Sequence, residues 1–115
     1  MTHSTQLRDK KCVPCEGGIL PLNETEYGVL MAQLSSDWQT DGKQISKDFT
    51  FNNFDDAMNF LNKVAEVAKQ EDHHPDINLH NYKKVLITLS THAINGLSEN
   101  DFVIAAKIEQ IISPS

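Results

Sequence analysis

Four of the five histidines in this chain of 115 residues, His73, His74, His80 and His92, fall within one twenty-residue window. Clustered imidazoles serve metal ligation, nucleophile activation or general acid/base catalysis, and each has its own spacing. Ligation from a helix wants histidines at i and i+3 or i+4, and from a strand at i and i+2, so that both rings face one ion. His73 and His74 are adjacent and meet neither condition, and Pro75 biases His74 towards extended backbone, where neighbouring side chains diverge. Zinc is therefore not expected here. No GxSxG elbow or other nucleophile motif accompanies the histidines, which weakens a nucleophilic triad. General acid/base work asks less: imidazoles, whose ordinary pKa of about 6.5 lies near operating pH, held on a rigid frame around a small substrate. The competing, simpler account is surface or hydrogen-bonded histidines near loops. His80 is expected to face solvent or a subunit contact, and His3 falls in an N-terminal arm.

The elements that must position these groups follow from periodicity. Residues 1–20 read as a loose arm and 21–115 as one domain. Asn23 as N-cap with Glu26 three residues on, and Leu22 and Tyr27 as a hydrophobic staple, start a first helix that ends near Ser35 or Ser36. Trp38–Thr40 and Ile45–Phe51 read as a hairpin around Asp41-Gly42. Between Asn53 and Glu71 no Gly or Pro interrupts a long amphipathic helix, whose stripe is read as Phe54, Met58, Leu61, Ala65 and Ala68, flanked by Phe60, Val64 and Val67. Ile77–Leu79 and Lys84–Thr91 follow as strands, with Val85, Ile87, Leu89 and Thr91 on one face. After the Asn95-Gly96 turn, Ser98 is placed as N-cap and Asp101 at N3 of a final helix striped by Ile104, Ile108 and Ile111. The fold expected is α+β, in the order α-β-β-α-β-β-α: a four-stranded antiparallel sheet with three helices packed on one face. His73 and His74 leave the long helix at a proline-fixed corner and His92 ends a strand. If the last helix returns alongside, one pocket collects three imidazoles, a carboxylate and a helix N-terminus.

Composition narrows the partners. Sixteen Asp and Glu against ten Lys and Arg give a net charge of -6, which repels phosphate backbones and anionic lipid surfaces, so neither nucleic acid nor membrane is expected. The first twenty residues are polar and lack the apolar core of a signal peptide, and the chain reads as cytoplasmic. Apolar residues make up 39% of the chain, a thin core that contact between subunits would supplement through the uncovered sheet face or an edge strand. Cys12 and Cys15, in Cys-Val-Pro-Cys, suit half a zinc ribbon, a redox pair or an incidental pair. Without a second such motif or a preceding strand, the incidental reading leads.

His73-His74-Pro75-Asp76, then Tyr82, Val85, Leu89 and Thr91-His92, then Gly96-Leu97-Ser98-Glu99-Asn100-Asp101-Phe102 and Ala105-Ala106-Lys107-Ile108 resemble pterin-4a-carbinolamine dehydratases. The likeness runs from about Trp38 to Ile111, more weakly through Leu20 to Ser36, and the Cys-Val-Pro-Cys-Glu-Gly-Gly arm looks like the start of many bacterial members. The resemblance implies a cofactor-independent hydro-lyase that removes water from 4a-hydroxytetrahydropterin to give quinonoid dihydropterin, in tetrahydropterin recycling after aromatic amino acid hydroxylation. It implies the same α+β fold, assembly as dimers or dimers of dimers, and a functional link to an aromatic amino acid hydroxylase. Carried onto matching positions, His73, His74 and His92 become the active-site histidines, with Pro75, Thr91 and Asp101 as further substrate-pocket residues. His73 and His92 are expected to act as acid and base and His74 to position the pterin. Asp101 is expected to orient a histidine, bind substrate, or cap the last helix. Asp72 suits either a supporting partner of the histidines or a solvated helix end, and no residue of Ile77–Tyr82 is carried over. Mammalian members also serve as dimerisation cofactors of a homeodomain transcription factor, for which nothing in this sequence speaks. The rival class is a non-catalytic dimeric interaction or regulatory protein on the same fold, which would not need three imidazoles around a pterin-sized pocket.

Overall fold

The first helix begins where its sequence places it. In the computed structural model, which describes residues 7–12 and 20–112, Asn23 is extended and its Oδ1 accepts the Glu26 amide at 2.9 Å, while Glu26 Oε1 accepts the Asn23 amide at 2.9 Å. This reciprocal box satisfies two donors that the helix leaves without internal partners. Helix α1 spans Glu24–Met31 and stops short of Ser35. The amides of Gln33 and Leu34 turn back onto the carbonyls of Leu30 and Met31 at 3.0 and 3.1 Å, and Leu34 swings into the core. Trp38 is also core rather than strand. Its Nε1–H and the Ser35 amide both donate to Glu109 Oε2, at 2.7 and 2.8 Å, which pins this loop to the last helix.

Strand β1 is therefore only Gln39–Thr40, paired antiparallel with β2, Ile45–Thr50. Thr40 lies opposite Ile45, so the hairpin loop holds four residues, of which Gly42 alone takes a positive φ, 95°. Asp41 serves by hydrogen bonding instead, its Oδ1 accepting the amides of Lys43 and Gln44 at 2.9 and 3.1 Å.

Helix α2, Phe54–Glu71, starts at Asn53, whose side chain accepts the Asp56 amide. Its buried line is Ala57, Phe60, Val64 and Ala68, with Leu61 and Val67 partly covered. The centre of burial is thus rotated from the expected stripe onto its flank at Phe60 and Val64, and Phe54 and Ala65 are exposed. The sheet sets this rotation, because Phe60 packs on both Phe49 and Phe51 with ring centroids 4.9 Å apart in each case.

Strands β3, Asp76–His80, and β4, Lys84–Leu89, complete an antiparallel sheet in the order β1-β2-β4-β3. On β4 the residues Val85, Ile87 and Leu89 are buried and sit opposite Phe49, Lys47 and Ile45 of β2. They join Phe102, Ile104 and Ile108 of the last helix, α3 (Glu99–Ile112), in one core. The opposite face carries Ser46, Asp48, Thr88, Asn78 and His80 around Leu86. The α+β architecture agrees with the sequence reading.

Beyond β4 the strand expectation for Ser90–Thr91 fails. Thr91 makes an isolated bridge to Gly96, and His92–Ile94 form a 3₁₀ turn closed by Asn95 at φ 53°. Gly96 is needed here for close approach: a Cβ would lie 2.6 Å from Pro21 Cβ. The N-terminal segment also differs from a loose arm. Leu7–Asp9 form a 3₁₀ turn docked on α3, with Leu7 buried. His3 and Cys15 lie outside the described residues. Among the described residues no helix is long and apolar enough to cross a membrane.

Candidate active site

Three separate parts of the chain meet at the C-terminal end of α2. Asp72 takes the left-handed conformation (φ 52°, ψ 42°) that ends the helix, and the His73 amide turns back to Ala68 O at 3.2 Å. That turn aims the His73 ring at the start of α3. His73 Nε2 lies 2.7 Å from Asp101 Oδ1. Asp101 is fully buried and the His73 side chain only 13% exposed.

The other carboxylate oxygen, Asp101 Oδ2, accepts Thr91 Oγ1–H at 2.9 Å and the Ser98 amide at 3.0 Å. Thr91 has one hydroxyl proton, spent on Asp101, so the 2.7 Å contact with Ser98 Oγ has Ser98 donating. The Ser98 hydroxyl is thus diverted from capping, and only half of the expected capping box forms, the half in which the N3 carboxylate accepts the N-cap amide. A carboxylate accepts and never donates, so its bond to His73 requires the proton on Nε2 and leaves the Nδ1 lone pair as the basic site of the neutral ring. The chain of donors Ser98, Thr91 and His73 onto one buried carboxylate fixes both ring orientation and tautomer.

In front of His73 opens a cleft of about 450 Å³. His73, His74, Thr91 and His92 line it together with Ser90 and Ala93, so the corner inferred from sequence does gather the three imidazoles. His74 and His92 are exposed, unlike His73. Asp101 lies behind His73, and Pro75 is not among the residues that line the cleft. Asp101 holds His73 through the 2.7 Å bond. Asp72 does line the cleft, from a helix-ending position. His80 is elsewhere, on the open sheet face, with Nε2 2.9 Å from Asp48 Oδ1.

Sequence reasoning missed five lining residues: Cys12, Glu71, Asn100, and Ser90 and Ala93, which flank Thr91 and His92. Glu71 carried a signal, a carboxylate on the last turn of a helix two residues before His73. Cys12 and Asn100 carried none, because only tertiary packing brings them here. Among the described residues no three His, Cys, Asp or Glu side chains converge on a common metal position.

Comparison with known proteins points the same way. The family model described as pterin 4 alpha carbinolamine dehydratase matches residues 20–111. A Nitrosomonas eutropha protein that carries pterin-4-alpha-carbinolamine dehydratase as a provisional name is 46% identical over 112 residues, 97% of this chain and 98% of its own length. A similarly named Nitrosospira multiformis protein is 49% identical over 105 residues, 91% of each chain. Among solved structures, one from Brucella melitensis described as a transcriptional coactivator/pterin dehydratase superposes with a TM-score of 0.73 at 35% identity, covering 79% of this chain and 97% of that one. A pterin dehydratase-like protein described as a RuBisCO assembly factor in the alpha-carboxysome shares the fold, with a TM-score of 0.53 at 24% identity over 64% of this chain and 84% of that one. Likeness along almost the whole length, over the segment that builds the histidine corner, means that this chain belongs to the pterin 4 alpha carbinolamine dehydratase family.

Proposed function

We propose that this protein is a hydro-lyase that dehydrates 4a-hydroxytetrahydropterin to quinonoid dihydropterin, with His73 and His92 as the acid/base pair. The observation that carries the reading is the His73–Asp101 bond of 2.7 Å beneath a cleft that His74 and His92 also line. The reaction needs two proton transfers. The 4a-hydroxyl leaves as water once protonated, while the N5 lone pair forms a double bond to C4a as the C4a–O bond breaks. A base then takes the proton from the resulting cation. An imidazole paired with a buried carboxylate is the better base, because the carboxylate stabilises the imidazolium that forms. His73 is accordingly the base through Nδ1, the exposed His92 supplies the proton to the leaving hydroxyl, and His74 positions the ring by hydrogen bonding. None of these steps requires a cofactor.

The wider reading is tetrahydropterin recycling beside an aromatic amino acid hydroxylase, in the cytoplasm, by a homodimer or dimer of dimers. The open sheet face is polar, so the free edge of β3 is the better place for a second copy. Light scattering on the purified protein measures that assembly. A spectrophotometric assay with chemically generated 4a-hydroxytetrahydropterin tests the activity: the wild type should exceed the spontaneous rate, and His73→Ala with His92→Ala should return to it. A wild type no faster than the background, or a double variant that loses nothing, would leave the non-catalytic interaction protein as the better account.

A further inference from the structure

One residue of the cleft lining, Cys12, comes from outside residues 20–111, which the family model matches. Residues 7–12 run along α3 and end with Cys12 at the cleft. Leu7 is buried, Arg8 Nη1 donates to Gln110 Oε1 at 2.7 Å, and Lys107 Nζ donates to Arg8 O at 2.8 Å. Lys10 Nζ meets Glu99 Oε2 at 3.1 Å. At the cleft itself the Cys12 amide donates to Glu71 Oε1 at 2.8 Å and Cys12 Sγ sits 3.7 Å from Asn100 O. The Glu71 side chain is 6% exposed, and its other oxygen lies 3.9 Å from Lys107 Nζ. Lys107 therefore ties together the end of α2, the N-terminal segment and α3.

We propose that Cys12, presented by the docked segment 7–12, forms part of a substrate-binding wall of the histidine cleft, with Glu71 as the positioning residue that holds it against the bound pterin. The inference rests on the pterin reading above. A pterin is a flat ring system with two faces to cover, and a polarisable sulfur is a suitable surface for one of them. His73 is fixed by Asp101, Thr91 and Ser98 without help from this segment. Loss of the wall should therefore weaken binding and spare the proton transfers, a rise in KM at nearly constant kcat.

Glu71→Ala removes the acceptor for the Cys12 amide and should raise KM about tenfold with kcat within about twofold, while Glu71→Gln, which keeps a carbonyl acceptor, should restore binding. Leu7→Ala undocks the same segment from its other end and should shift KM in the same direction. A fall in kcat at unchanged KM, or no change in either Glu71→Ala or Leu7→Ala, would overturn the proposal. A second measurement does not depend on those variants folding. In Cys15→Ser protein, saturating 7,8-dihydrobiopterin should slow alkylation of Cys12 by iodoacetamide at least about fivefold, as expected when bound ligand covers the group. If the wild type binds the dihydropterin by calorimetry and turns over substrate while Cys12 is alkylated at an unchanged rate, the wall is wrong and the dehydratase reading stands. If it binds none, both fall.

Discussion

Two histidine–aspartate pairs in this molecule have nearly the same bond and opposite surroundings. His73–Asp101 spans 2.7 Å with side chains 13% and 0% exposed, whereas His80–Asp48 spans 2.9 Å with side chains 33% and 45% exposed. The first carboxylate accepts from Thr91 and Ser98 as well and is shut away from water, so its charge acts on the histidine through a poorly screening medium. The second crosses an open sheet face, where water and salt screen the pair and its net worth is small. Distance alone would rank these pairs as equals. Burial and the further donors on the carboxylate are what separate the first pair, proposed above to act in catalysis, from a surface contact.

The largest break in this comparison should come from Asp101→Asn. The Ser98 amide and Thr91 hydroxyl would select the amide oxygen, turning the NH₂ group towards His73 and forcing its proton from Nε2 to Nδ1. With the basic nitrogen exchanged, kcat should drop about 10²- to 10⁴-fold, readable in the dehydration assay, and nitrogen NMR of the imidazole should report the tautomer change. Thr91→Val keeps the shape and removes one donor from the buried carboxylate. It should cost about 1–3 kcal/mol in denaturant unfolding, with a smaller loss of kcat than Asp101→Asn.

Asp48→Asn at the exposed pair should change stability by less than about 1 kcal/mol, should do so less in high salt, and should leave dehydration unaltered. A large activity loss there would sink the idea that burial separates the two pairs. The smallest effect belongs to Asp41, fully exposed in the hairpin loop. The amide of Lys43, foremost, holds its carboxyl below the ordinary value of 3.8, with the Gln44 amide adding to this. A pKa depressed by folding contributes stability above the unfolded value and loses it as pH falls through the folded one. Asp41→Asn should therefore be slightly less stable than wild type near neutrality, and the two thermal unfolding curves should converge below pH 3.8.

How far each feature was legible follows the reach of the interaction behind it. The box at Asn23 and Glu26 is made by residues three apart, and the alternation of Val85, Ile87 and Leu89 is set by the strand itself, so both could be read directly. The phase of α2 could not, since Phe60 is oriented by Phe49 and Phe51 from another element. Likewise the first helix ends early because Glu109 captures the loop that follows it, 74 residues away from Ser35.

The same division holds at the site. By itself the sequence determined that three histidines leave rigid elements near one corner, that the surface is acidic, and which family the motifs resemble. Asp101 was a candidate with three open roles. Only the tertiary structure shows that it pairs with His73 as well as accepting the Ser98 amide, because its partners His73 and Thr91 lie 28 and 10 residues away and a full loss of solvent exposure is a property of the packed core. Cys12 became a cleft residue for the same reason: docking of the N-terminal segment on α3 brings it to Glu71, 59 positions away, and no local pattern encodes that contact.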